Sequence, residues 1–148
     1  MKILVNPNIT VPKDCPAMRL HFVGDIMLSR GVGDITKIKG MNFLWSGIST
    51  LINDCDFLFG NLECVLTERG NKNPESASCF RASPEAAKAL PKFEALTLAN
   101  NHIRDYGDDG INDTIETLNQ VGIGHLGVGK TQAQALAPYL LKKKDSGL

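Results

Sequence analysis

Apolar residues in this chain fall in short blocks separated by polar turns, and the blocks are of two kinds. Residues 20–23, the run Phe57-Leu58-Phe59 and residues 95–99 are largely apolar stretches, too short for helices. They predict three buried strands. Between them, apolar positions recur at helical spacing. Leu44, Ile48, Leu51 and Ile52 predict one amphipathic helix over about residues 43–53. Ser83-Pro84-Glu85 offers a capping hydroxyl, a proline at the first helical position and an acid in the first turn, so a short helix should start there and stop near Pro91. Ile111, Ile115 and Leu118 predict a further helix, ended by Gly122. A short strand follows over residues 123–126, then a helix over 131–137 and the start of a strand at 139–141. Residues 67–83, rich in Gly, Asn, Pro and Ser, predict a long loop. Residues 1–18 contain three prolines and predict an extended N-terminal strand and loop, set apart from one domain over residues 19–148.

Strand and helix signals alternate, and the strands lack an in–out alternation. That combination predicts an α/β fold of βαβ units with a mostly parallel sheet. Ligands of such sheets collect beyond the carboxyl ends of the strands. The residues directly after each strand are therefore the first to consider. The first strand ends in Gly24-Asp25, the second in Gly60-Asn61-Leu62-Glu63, and the third in Asn100-Asn101-His102. Gly and Asn are ordinary turn residues. Turn formation alone does not call for Asp, then Glu, then His on one sheet edge. Carboxylate, carboxamide and imidazole together suit a divalent cation such as Mn, Fe, Zn or Mg.

Composition narrows the setting. Sixteen basic and sixteen acidic residues cancel, so no overall field favours nucleic acid or an anionic membrane. The one charge run, Lys142-Lys143-Lys144, reads as a solvated tail. No apolar stretch is long enough to span a bilayer and no secretory leader is visible, so direct membrane insertion is not expected and a cytoplasmic setting is. Cys15, Cys55, Cys64 and Cys79 form no C-x-x-C pair, which argues against a structural zinc site and for free, mostly buried thiols.

At these same residues the chain resembles the poly-γ-glutamate capsule-synthesis (CapA-type) family, a branch of the calcineurin-like metallophosphoesterase superfamily. The resemblance is carried by Phe22-Val-Gly-Asp-Ile-Met-Leu-Ser-Arg30, by Phe59-Gly-Asn-Leu-Glu63 with Leu66-Thr67, by Phe80-Arg81, by Leu98-Ala-Asn-Asn-His102 with Asp105-Tyr-Gly107, and by Gly127-Val-Gly129. It implies a layered α/β/β/α metallophosphoesterase-like fold, present here as its N-terminal portion. It implies Asp25 as the first acidic metal ligand, Glu63 as a metal-bridging carboxylate, Asn101 as a further ligand and His102 as the acid facing the substrate. Arg30, Arg81, Asn61 and Asn100 become candidates for binding an anionic substrate or polymer, poly-γ-glutamate or a phosphoester. For either arginine a structural salt bridge is an equal expectation. Met27 stands where the wider superfamily has a ligating histidine, a poor donor for hard cations. No histidine follows His125. The expectation is half of a hydrolytic site, with little turnover from the chain alone and self-association through an uncovered sheet.

Other readings remain open. The same scaffold could bind an anionic polymer without catalysis. Residues 124–131 also fit the phosphate-loop pattern G-x-x-x-x-G-K-[ST], ending in Lys130-Thr131. The expected context is a glycine turn joining a short strand to a capped helix. His21 and His125 are expected to pack, Asp108-Asp109 to cap the following helix, and Trp45 and Tyr106 to fill the core, with Tyr106 near enough to His102 to orient it.

Overall fold

The computed structural model describes residues 18–141. The N-terminal extension up to residue 17, with Cys15, and the lysine run 142–144 lie outside the described residues. The fold is α/β. Strands β1 (Leu20–Ile26), β2 (Phe57–Leu62), β5 (Ala95–Thr97) and β6 (Gly124–Leu126) form one sheet in the order β1-β2-β5-β6, with every pairing parallel. A separate two-stranded parallel ladder joins β3 (Val65–Leu66) to β4 (Arg81–Ala82). The crossover from β1 to β2 carries helices α1 (Arg30–Lys39), α2 (Phe43–Ser46) and α3 (Ser49–Asn53). The small ladder and a 3₁₀ helix, Pro84–Ala89, lie between β2 and β5, and α4 (Gly107–Gln120) lies between β5 and β6. A last short helix, α5, covers Gln132–Ala135. No helix among the described residues is long and apolar enough to cross a membrane.

The core runs from β2 and β5 through the small ladder to α4. Leu62, Leu66, Phe93, Leu96, Leu98 and Leu118 are almost fully buried. Inside it, the Thr114 hydroxyl accepts from the Leu66 amide at 2.8 Å and donates to the Gly110 carbonyl at 2.7 Å, so β3 is tied to α4 with no orphaned polar group. α4 starts with Asp108 and Asp109 in its first turn, where negative charge offsets the helix dipole. Its end is a Schellman motif. Gly122 adopts φ 74°, its amide donates to Asn119, and the Ile123 amide donates to Leu118.

Several expectations need correction. β1 runs on to Ile26, so Asp25 lies inside the strand, and β1 is not buried: Phe22 is 73% exposed. α1 was not expected at all. The single helix over 43–53 is two short ones, broken at Gly47 and Ile48. The loop over 67–83 contains β4. The helix at Pro84 is 3₁₀, and Ser83 makes no side-chain cap. Residues 139–141 form no strand, and α5 is shorter than expected. Asp108 and Asp109 sit within the first turn of α4 rather than at its cap, which is Tyr106. Of the thiols described, Cys64 is buried while Cys55 and Cys79 are partly exposed.

Candidate active site

The site begins with a bulge. Phe22 pairs with Phe59, but Asp25 pairs with Asn61, so β1 spends three residues where β2 spends two. The extra residue rephases the strand. In regular pairing Gly24 would stand opposite Asn61; with the bulge Asp25 does. Asn61 in turn pairs with Thr97 near the end of β5. Three strand ends are thereby brought level.

A directional hydrogen-bond string crosses them. Asn61 Nδ2 donates to Asp25 Oδ1 at 2.8 Å. Asn61 Oδ1 accepts from Asn100 Nδ2 at 3.0 Å, and that amide also donates to the Leu62 carbonyl at 2.9 Å. Asn100 Oδ1 accepts from the backbone amide of His102 at 3.0 Å. An ionised carboxylate only accepts and a backbone N–H only donates. Both carboxamides are therefore fixed in orientation from the two ends of the string.

The string delivers His102 to a buried carboxylate. His102 Nδ1 lies 2.8 Å from Asp105 Oδ2, with the two side chains 13% and 2% exposed. Asp105 Oδ2 also accepts from the Phe80 amide at 2.6 Å, and Asp105 Oδ1 lies 3.4 Å from the Ser76 hydroxyl. Because the carboxylate accepts, Nδ1 carries the proton and Nε2 is the ring nitrogen left for a ligand. The imidazole lies against Phe80, centroids 4.1 Å apart. Sequence reasoning did not single out Asp105 or Phe80 as functional; it expected Tyr106 to pack in the core, with orientation of His102 as its lesser reading. Tyr106 is buried, and the carboxylate beside it does the orienting.

The arginines do not form the expected salt bridges. Among the described residues neither side chain has an acidic partner; the Arg30 guanidinium lies 5.4 Å from the Phe80 centroid and that of Arg81 4.8 Å from Tyr106. Arg30 is also the one described non-glycine residue with positive φ, at 55°. That conformation costs an L residue about 1–2 kcal/mol.

The carboxylate side is looser. Asp25 is exposed, with Asn61 its partner. The Glu63 amide donates to the Ile26 carbonyl at 3.0 Å, which sets Glu63 just past the end of β2, and its carboxylate takes no hydrogen bond from a described residue. Asn101 is exposed and likewise outside the string, a place that Asn100 fills. Met27 Sδ lies 3.1 Å from the Ser29 hydroxyl. Among the described residues no group of three or more His, Cys, Asp and Glu converges as a metal cluster. Carboxylates such as those of Asp25 and Glu63 are donors of the type that a hard, oxygen-preferring cation takes. They do not make the three-ligand set of a zinc enzyme. Burial pushes the Cys64 thiol up to about 11, with the Glu63 charge adding to the rise, so this cysteine is no nucleophile at neutral pH.

The glycine-rich stretch is a strand end and a turn. Gly124 to Leu126 are β6, Gly127 has φ 84°, the Lys130 amide donates to Gln134 Oε1, and the Thr131 hydroxyl accepts from the Gln134 amide at the start of α5. His125 sits in β6, its pKa lowered by burial.

Comparison with known proteins adds the family. The profile described as bacterial capsule synthesis protein PGA_cap matches residues 19–147. The capsule biosynthesis protein CapA of Bacillus anthracis is 31% identical over 118 residues, covering 76% of this chain and 29% of that protein. The PGA biosynthesis protein CapA of Bacillus subtilis is 31% identical over 117 residues, covering 77% of this chain and 31% of that protein. A probable polyglutamine synthesis accessory protein of Mycobacterium tuberculosis is 37% identical over 71 residues, covering 47% of this chain and 19% of that protein. The chain thus spans roughly three tenths of the length of the two CapA proteins.

Proposed function

The chain belongs to the bacterial capsule synthesis protein family, and from that premise we propose that it carries part of a metal-assisted, phosphoesterase-like hydrolytic centre acting on an anionic polymer or its phosphoester. The observation that carries the reading is the string from Asp25 through Asn61 and Asn100 to His102, ending on the buried Asp105. Asp25 and Glu63 would hold the cation, with the Asn101 carboxamide as a neutral donor. Such a cation, when bound, would polarise an ester or acyl oxygen and acidify a water. His102 supplies the proton. Asp105 keeps Nδ1 protonated, and the proton on Nε2 of the imidazolium is the one that passes to the leaving oxygen. Phe80 covers one face of the ring and limits its rotation. Arg30 and Arg81, which form no salt bridge among the described residues, attract the anionic ligand.

A second reading has its own support. Two carboxylates with one neutral carboxamide are a weak metal site, so the same edge could serve as a non-catalytic seat for the polymer. Metal response separates the two. Mn²⁺ should raise the Tm of the chain, since a ligand of the folded state stabilises it. The double change Asp25→Asn and Glu63→Gln should abolish that rise, and an unaltered rise would sink the metal assignment. Turnover of bis-p-nitrophenyl phosphate by the chain alone is expected to be slow. Whatever metal-dependent rate is present should fall roughly 10²–10⁴-fold in His102→Ala.

A further inference from the structure

Arg30 and Arg81 stand against Phe80 and Tyr106. Both line one cavity of about 370 Å³ between the start of α1 and the segment from β4 into the 3₁₀ helix. Lys37 and the buried Ser29 hydroxyl line it too. Two acids share the wall. Asp34 lies 3.5 Å from Lys37 and offsets it, which leaves Glu68 against two guanidiniums. The cavity's excess charge is positive. Each guanidinium lies over an aromatic ring, an attraction that holds the side chain without using its N–H donors on a carboxylate. A guanidinium's N–H fork matches two oxygens of a carboxylate or phosphate. The strained backbone of Arg30 belongs to the same wall.

The cavity adjoins the proposed reaction centre. Phe80 has the His102 ring at 4.1 Å and the Arg30 guanidinium at 5.4 Å, so one aromatic ring connects the imidazole with the cavity wall. Tyr106, which carries Arg81, follows Asp105 directly in the chain. We propose that this cavity is a second oxyanion subsite: a ligand whose reacting group lies at His102 places a neighbouring carboxylate or phosphate between Arg30 and Arg81. The ligand is then a repeating anion, not a single charged unit. This assignment rests on His102 facing the ligand, as proposed above.

The test is calorimetric titration of the full chain at low ionic strength in two arms. The carboxylate arm compares free glutamate with a γ-linked glutamate pentamer; the phosphate arm compares inorganic phosphate with tripolyphosphate. In at least one arm the longer anion should bind at least tenfold more tightly than the single unit, and that arm identifies the chemistry. Arg81→Ala should bring the ratio close to one, and Arg81→Lys, which keeps the charge and loses the fork, should fall between. If Arg81→Ala fails to fold, Arg81→Lys combined with Lys37→Ala, the latter an exposed position, carries the test. A ratio near one in both arms of the natural chain, or a ratio undiminished in the folded variants, overturns the subsite. Metal-induced Tm shifts and hydrolysis are read on the same samples. Lost length preference with an intact metal response condemns the subsite alone; a retained preference without metal response or turnover condemns the hydrolase reading alone.

Discussion

The two ends of the hydrogen-bond string are built differently. At the His102 end the polar groups around Asp105 are enclosed and paired. Asp105 and Thr67 are 1% and 0% exposed, and the Phe80 and Asn73 amides close onto Asp105. At the Asp25 end the strand is, among the described residues, a sheet edge, its carboxylate exposed and held by one hydrogen bond. Buried polar networks become rigid when fully satisfied, and exposed ones stay adaptable. The acid side of the candidate site is therefore preorganised, while the carboxylate side is open to be set by what binds there. A proton donor needs fixed geometry, whereas carboxylates that accept a cation can adjust to it.

The rigid end should break hardest at Asp105. Asp105→Ala orphans the Phe80 amide and frees the imidazole, with an expected loss on the order of 3 kcal/mol. Thermal melts should show a fall in Tm of roughly 10 °C. Asp105→Asn can still accept from Phe80 but can turn an N–H toward Nδ1. The expected signature is a change of tautomer at His102 in ¹⁵N spectra. A variant with unchanged melting and an unchanged His102 tautomer would show that the enclosure is not what orients the ring.

Beside the same end, Asp113 anchors the loop after β3. Its carboxylate accepts from Arg69 and from the Thr67 hydroxyl. The Arg69 hydrogen bond holds it below the ordinary carboxylate value of 3.8, against the opposing effect of burial and with help from Thr67. A carboxyl with a lowered folded-state pKa stabilises the fold above its unfolded pKa, and that contribution fades as pH falls through the folded value. Asp113→Asn should therefore lower Tm by a few degrees at pH 7, with the gap to the natural chain constant down to about pH 5 and closing below about pH 4. A gap that widened in acid would reverse the assignment.

The contrast between the two ends also explains what could be read in advance. α4 and β6 were legible because their apolar positions keep a period and Gly122 ends the helix. α1 was not. Its sequence, with Gly31, Gly33 and β-branched Ile35, Thr36 and Ile38, favours helix weakly, and Ile38 is 83% exposed, so no buried stripe marks it. The ladder of β3 and β4 pairs two residues with two others 16 positions later, too short for any pattern. In the site, Asp25, Asn61, Asn100 and His102 stood out as polar residues at strand ends. Asp105 did not, since its role depends on the Phe80 amide, 25 residues away, folding back onto it. The rephasing bulge between Phe22 and Asp25 was hidden for the same reason: it is a property of the pairing and not of β1 alone.

The open end supplies the smallest change in stability and the sharpest contrast. Among the described residues β1 has a neighbour on one side of the sheet. Its Leu20 and Phe22 share a face by strand alternation and are 44% and 73% exposed, Phe22 stacking on Phe59 at 5.0 Å between ring centroids. An unpaired edge with exposed apolar side chains is a template for another strand. The chain is therefore expected to self-associate at micromolar concentration, with sedimentation showing dimers or larger species that dissociate on dilution. Phe22→Lys should suppress this, because edge charges oppose strand addition, while an exposed substitution moves the monomer's stability by only about 0.5 kcal/mol. The same change at the enclosed end, for example at Leu98, would unfold the chain. A natural chain that stays monomeric across the concentration range would remove the edge as an association surface. Association undiminished in Phe22→Lys would move that surface elsewhere, to a part of the molecule that the open end does not explain.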